Sequence, residues 1–317
     1  MSESLLEVKN LKKYFKVSSG QLHAVDDVSF SINKGETLGL VGESGCGKST
    51  IGRTLLRLIP HTAGEVRYKG EDILKFSSAQ MRELRKEMQI IFQDPYSCLN
   101  PRKSIGQIVA EPLIINNVVG RKELDERVAD LLQKGGVNRK LYNSYPHELD
   151  GGRRQRVGII RALALNPSFI VCDEPVSSLD VSIQAQILNL LQDLQQSMGL
   201  TYLFISHDLS VVRHISNRII VMYLGQVVES CESKELFKNP QHPYTKALLS
   251  AVPIAKYEYK RQRIVLTGDV PSPVNPKPGC RFAPRCWLAD ERCFVESPEI
   301  KSVGHDHMAR CHLVEEG

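Results

Sequence analysis

The chain has 317 residues, 42% hydrophobic and 24% charged, ordinary values for a folded globular protein with a large core and about two domains. A net charge of +5 is mild and spread along the chain, which argues against nucleic acid as partner. No apolar run reaches the roughly 18 residues of a membrane span, and Met1-Ser2-Glu3-Ser4 lacks the basic start of a signal peptide, so the chain is expected in the cytoplasm.

From Leu5 to about residue 240, β-rich runs alternate with helical patterns, which predicts an α/β fold. Val28 to Ile32 alternates apolar and polar residues, as in a half-exposed strand, whereas Thr37 to Val41 reads as a buried one. Residues 42 to 50 follow as Gly-Glu-Ser-Gly-Cys-Gly-Lys-Ser-Thr, and Ile51, Leu55 and Leu58 then recur at helical spacing. A glycine-rich turn between strand and helix cradles phosphate. Gly42, Gly45 and Gly47 let backbone N–H groups crowd around phosphate oxygens, and Lys48 reaches the β and γ phosphates. The Ser49 hydroxyl suits Mg²⁺. Glu43, Ser44, Cys46 and Thr50 complete the loop, which predicts a bound nucleoside triphosphate.

Met88 to Phe92 reads as another buried strand. Between Ser97 and Gly152 the β signal fades, and polar helical stretches such as Arg121 to Lys134, broken by Gly135-Gly136, predict a helical insertion. Phe169 to Cys172 is an apolar strand running into Asp173-Glu174. Neighbouring strand residues face opposite ways, so Asp173 can hold the Mg²⁺ shell while Glu174 polarises an attacking water. Ile183, Ile187, Leu190, Leu194 and Met198 share one helix face, and Thr201 to Ile205 is a further buried strand. Beyond Val252, Pro271, Pro273, Pro276 and Pro278 mark an extended tract, followed by a small cysteine-bearing appendage. The basic run Lys256 to Arg263, interleaved with Tyr257 and Tyr259, reads as a solvated linker. The expected division is a core over 1–252, with a helical subdomain at about 97–156, and an extension over 253–317.

Gly42 to Thr50, Gln93, Leu149 to Arg153, Asp173-Glu174, Ser178-Leu179-Asp180 and His207 occur in the order of an ABC-type ATPase, which the chain resembles over about three quarters of its length. The resemblance implies a P-loop nucleotide-binding domain that hydrolyses ATP with Mg²⁺. It makes Gln93 the Q-loop, touching Mg²⁺ and water, Asp173 and Glu174 the Walker B end, Asp180 the D-loop and His207 the switch histidine on the γ-phosphate. It also implies an aromatic ring on adenine, for which spacing from Leu11 favours Phe15, with Tyr14 as the fallback.

The family signature is Leu-Ser-Gly-Gly-Gln, and this chain departs from it with Leu149-Asp150-Gly151-Gly152-Arg153. In the family this segment faces the γ-phosphate held by a partner subunit. Asp150 is suited to cap the next helix but brings a carboxylate toward a polyanion, which Arg153 offsets in part.

Cys280, Cys286, Cys293 and Cys311 are spaced C-x5-C-x6-C-x17-C, a set able to hold tetrahedral Zn²⁺ or an iron–sulfur cluster, with His305, His307 and His312 as competing zinc ligands. Cys46, Cys98, Cys172 and Cys231 are scattered and read as packing residues. Leu266 to Pro273, Gly279 to Phe282, Arg285-Cys286 and Gln241 to Leu248 resemble the C-terminal extension of oligopeptide and dipeptide importer ATPases. That resemblance implies a 4Fe-4S cluster, preferred over Zn²⁺, as a structural staple.

The resemblance further implies a second ATPase subunit, a paralogue given the altered signature, two transmembrane permease subunits and an extracytoplasmic binding protein. The chain would then sit peripherally on the cytoplasmic face of the membrane. A soluble ABC-type ATPase acting on nucleic acid or ribosomes is the alternative. An iron–sulfur redox sensor with a vestigial ATPase is disfavoured by the complete hydrolytic set.

Overall fold

The computed structural model describes residues 3–120, 122–252, 263–304 and 306–315. Tyr257, Tyr259 and the rest of the basic run before Arg263 lie outside the described residues, as does His305.

The chain opens with β1 (Ser4–Val17), β2 (Gly20–Asn33) and β3 (Thr37–Val41), followed by α1 (Lys48–Leu55), β4 (Ala63–Tyr68) and β5 (Glu71–Asp72). Then come α2 (Ser78–Glu87), β6 (Met88–Ile91), α3 (Pro95–Cys98), α4 (Ile105–Ile115), α5 (Leu124–Lys134) and α6 (Gly151–Leu163). After these follow β7 (Phe169–Asp173), α7 (Val181–Met198), β8 (Thr201–Ser206), α8 (Leu209–Ile215), β9 (Arg218–Tyr223) and β10 (Gln226–Glu232). The last elements are α9 (Ser233–Lys238), α10 (Pro243–Ser250), α11 (Glu291–Val295), β11 (Lys301–Ser302) and β12 (Met308–Ala309).

These elements form two compact units: Met1–Asn33, Thr37–Leu74 and Ser206–Gly317 make the first, Lys34–Glu36 and Lys75–Ile205 the second. In the first, β1 pairs antiparallel with β2 and β4, burying Leu6, Val8, Leu11, Val28 and Ile32. Strands β3 and β9 pair in parallel, and β10 folds back antiparallel on β9. Every residue of β3 is buried, which explains its unbroken apolar run. In the second unit, β6, β7 and β8 pair in parallel, with Cys172 beside both Ile91 and Phe204.

Helix α1 stops at Leu55, and Leu58, expected on its buried face, is 49% exposed past a left-handed turn at Arg57 (φ 49°). The residues between Ser97 and Gly152 are helical as expected, but not uniformly polar: α4 buries Ile105, Ile108, Val109 and Leu113 in a cluster shared with Val128, Leu131 and Leu132. Val157, Ile160 and Ala164 close the same cluster, so α6 belongs to this packing. A capping box of Ser104 and Gln107 starts α4 and satisfies orphan amides in both directions.

The C-terminal stretch is part of the first unit: β12 pairs with β10, Val274 bridges Leu22, and Phe282 is 1% exposed against Tyr223 and Tyr244. Too short to enclose a core of its own, it inserts the Phe282 ring among Tyr223, Tyr244 and His242. No helix among the described residues is long and apolar enough to cross a membrane.

Candidate nucleotide site

Strand β3 delivers residues 42 to 47 as a tight loop onto the N-terminus of α1. Gly47 caps α1 at φ 105°, and a Cβ there would lie 2.0 Å from the Ala24 carbonyl. Only glycine fits that approach. No side chain caps α1, and a helix N-terminus with its dipole suits an anion. Lys48 is 4% exposed and lies across the loop, its ammonium donating to the carbonyls of Gly42 at 2.8 Å and Glu43 at 3.0 Å.

The loop is held from three sides. The Gly225 N–H, in the β9–β10 turn, donates to the Cys46 carbonyl at 2.9 Å. The Tyr244 hydroxyl accepts from the Glu43 N–H at 2.9 Å, and Arg285 pairs with the Glu43 carboxylate at 2.8 Å. Burial works against the guanidinium charge, but hydrogen bonds to Glu43 and Tyr223 outweigh it and lift Arg285 above its ordinary range. Neither Tyr244 nor Arg285 belongs to a nucleotide motif, and motif reading missed both. The available signal was the pair of arginines flanking the first two C-terminal cysteines.

Tyr14 and Phe15 are adjacent on β1 and so face opposite ways. The Tyr14 hydroxyl donates to Asp26, and its ring stacks on His23 at 3.9 Å. Burial and that bond to the carboxylate push the Tyr14 phenol up. The partly buried Phe15 ring takes the Lys13 ammonium at 4.5 Å.

In the second unit, β6 and β7 end side by side, and ligands gather at the carboxyl ends of parallel strands. Gln93, two residues past β6, donates from Nε2 to the Glu174 carboxylate at 3.2 Å. Glu174 adopts φ 48°, sparsely populated for a non-glycine residue, and its N–H is held by the Ile205 carbonyl at 3.0 Å. Asp173 is 2% exposed. Asp180 caps α7 by accepting from the Ile183 N–H at 2.9 Å, a bond that holds its carboxyl below the usual range. Asp150 likewise caps α6, accepting from the Arg153 N–H, with Arg153 Nε 3.4 Å from its other oxygen. A Cβ on Gly152 would meet the Ile183 side chain at 2.7 Å, so the signature packs closely on the start of α7. His207 is exposed in the first unit, directly after β8.

The four C-terminal cysteines are free thiols. Burial pushes Cys280 up to about 11, reinforced by the fields of Cys293 and Cys311. Burial also raises Cys286 and Cys293, and each feels the charge of Cys311 as well. As a donor type, four thiols suit a thiophilic centre. Their arrangement does not match the expectation of an assembled site: among the described residues no three His, Cys, Asp or Glu side chains gather in ligating geometry. Two competing histidines have other partners. His307 Nε2 lies 2.7 Å from the buried Glu229 carboxylate, and His312 Nε2 lies 2.9 Å from the Glu296 carbonyl.

The family model for ABC transporters matches residues 25–177, and that for the C-terminal region of oligopeptide/dipeptide transporters matches residues 228–293. The chain is 52% identical, over 98% of both lengths, to the oligopeptide transport ATP-binding protein AppF of Bacillus subtilis. The chain belongs to the ATP-binding proteins of the oligopeptide/dipeptide ABC transporter family. It is also 49% identical to the dipeptide transport ATP-binding protein DppF of Haemophilus influenzae, over 98% of this chain and 97% of that protein. Among solved structures it resembles cbiO1 of Clostridium perfringens, described as part of the transporter complex cbiONQ, at TM-score 0.67 and 28% identity over 75% of this chain and 92% of that one. A dimeric post-hydrolysis state of the cassette MJ0796, bound to ADP and Pi, matches at TM-score 0.65 and 30% identity over 72% of this chain and 98% of that one.

Proposed function

We propose that this chain binds and hydrolyses ATP to energise import of dipeptides or oligopeptides. It would work on the cytoplasmic face of the membrane with two permease subunits, a paralogous second ATPase and an extracytoplasmic binding protein. The observation that carries the hydrolytic reading is the Gln93–Glu174 contact at the ends of two parallel strands. It sets a carboxylate and an amide side by side, where both can contact one water. The peptide cargo rests on the names of the relatives, which concern peptide transport. The nucleic-acid alternative has no comparable support.

In this reading Gly42 to Thr50 hold the triphosphate, and Ser49, Gln93 and Asp173 would hold Mg²⁺, which would supply charge neutralisation to the phosphates. Glu174 draws the proton from the attacking water, and His207 steadies the γ-phosphate. Phe15 stacks on adenine, since Tyr14 is already engaged by His23 and Asp26. Asp150, Gly151 and Gly152, with Asp180, serve the site on the opposing subunit. The chain divides into a core over 1–252, with its helical subdomain at about 97–156, and an extension over 253–317.

The finer reading of the extension is a 4Fe-4S cluster on Cys280, Cys286, Cys293 and Cys311, with Zn²⁺ as the competing occupant. Its support is the donor type, four thiols in one segment, three of them within the residues matched by the oligopeptide/dipeptide transporter C-terminal family model. Bound there, such a group staples a segment that has little core of its own.

Glu174→Gln in the assembled transporter is expected to keep Mg-ATP binding and lose turnover by about a thousandfold, the scale of a lost general base. Lys48→Ala should lose binding itself. Wild-type turnover in Glu174→Gln would overturn the hydrolytic assignment.

A further inference from the structure

Two arginines from one turn of the C-terminal extension reach the phosphate loop by separate routes. Arg285 contacts Glu43, the second loop residue, and its side chain is only 9% exposed beneath the loop, with the Tyr223 hydroxyl 3.4 Å away. Arg281 pairs with Asp26 and donates to the Leu224 carbonyl. The Asp26 N–H in turn donates to Gly225, whose own N–H holds the Cys46 carbonyl. Between the two arginines, Phe282 is locked among Tyr223, Tyr244 and His242. The loop's second and fifth residues are thus fixed by a segment far away in sequence.

We propose that Arg285 is a positioning residue of the nucleotide site: through Glu43 it holds the phosphate loop, so that nucleotide affinity depends on how the C-terminal extension is seated. The inference rests on the phosphate-loop reading above. Two effects of losing Arg285 add. The Glu43 backbone gains freedom, and its carboxylate stands uncompensated beside a triphosphate. The second effect is a matter of charge and can be reversed at Glu43.

The test uses the full-length chain for Mg-ATP calorimetry and the assembled transporter for kinetics. Arg285→Met is expected to raise the ATP Kd and KM about tenfold, the scale of one charge-assisted hydrogen bond, with kcat changed less than about twofold. Arg285→Lys should recover most of the loss, and adding Glu43→Gln to Arg285→Met should recover about half. Arg292→Met, which removes an exposed pair with Glu296 on the same extension, should leave binding unchanged. An unchanged Kd in folded Arg285→Met, a fall in kcat at constant KM, or no recovery by Glu43→Gln overturns the proposal. Should Arg285→Met fail to fold, Glu43→Asp replaces it and must raise Kd at least about threefold, since it withdraws the carboxylate without touching the extension. Lys48→Ala separates the two readings. If it binds ATP normally, the phosphate-loop assignment fails; if it loses binding while Arg285→Met does not, only the positioning role fails.

Discussion

Asp150 turns its carboxylate back into its own helix, accepting from the Arg153 N–H at 2.7 Å with the Arg153 guanidinium beside it. That explains how a carboxylate is tolerated at a position where the family places a serine. It serves as an N-cap, for which aspartate and serine are nearly equivalent. What would differ, in the proposed reading, is that a carboxylate rather than a hydroxyl faces a partner's nucleotide. Asp150→Ser keeps the cap and supplies a hydroxyl, so steady-state ATPase of the assembled transporter is expected to rise, by up to about twofold. That is far below the hundredfold typical of one transition-state donor, because only the composite site receiving this segment changes while the other already turns over. Turnover equal to wild type would remove the idea of an impaired site. The same scale shows what spacing alone could reveal. Gly47 and Lys48 stood out because the loop's chemistry dictates residue type, whereas the partners of Tyr14, the His23 stack and the Asp26 bond, are made across the β1–β2 pair and left no motif to read.

Helix α10 depends on a buried histidine. His242 Nδ1 accepts from the Tyr244 N–H at 3.1 Å, which requires that nitrogen to be unprotonated, and so positions the tyrosine whose hydroxyl meets Glu43. Burial lowers His242 from 6.5 to about 4; the nearby Glu229 carboxylate and Arg310 backbone oppose the shift, and Lys246 adds to it. The sign follows from linkage. Between pH 6.5 and about 4 the unfolded histidine takes a proton that the folded one refuses, so stability is full above that window and falls as pH drops through it. The loss amounts to about 3 kcal/mol. Stability at pH 5 is expected to lie about 2 kcal/mol below that at pH 7.5, the part of the window crossed, as read from urea midpoints, and His242→Asn, which caps without titrating, should flatten the difference. An equal slope in the variant would place the pH response elsewhere. Strands β3, β7 and β8 were readable as elements because every residue is buried and their runs are mostly apolar, whereas β6 is half-buried at Gln89 and Ile90. Helix α4 was not readable, since its apolar residues serve a helical core that no local period reveals.

At the scale of the whole molecule, the C-terminal extension is tied to the first unit by packing, strand pairing and buried charge. Glu229 is 0% exposed and accepts from the Gln241 and His242 amides and from His307, so a residue near the end of the chain helps satisfy a carboxylate inside β10. If the four cysteines hold a 4Fe-4S group, anaerobically purified protein should carry about four iron and four sulfide per chain, and stripping them should lower Tm by about 5 °C. Zinc without iron in that preparation would reassign the occupant. The ordered nucleotide motifs, the α/β alternation and the cysteine spacing are properties of the sequence alone, because phosphate chemistry, strand burial and ligand type each restrict residues locally. Which side chains brace the loop was decided only by tertiary structure: Glu43 and Arg285 meet across 242 positions, and no local pattern encodes a contact made by docking one surface on another.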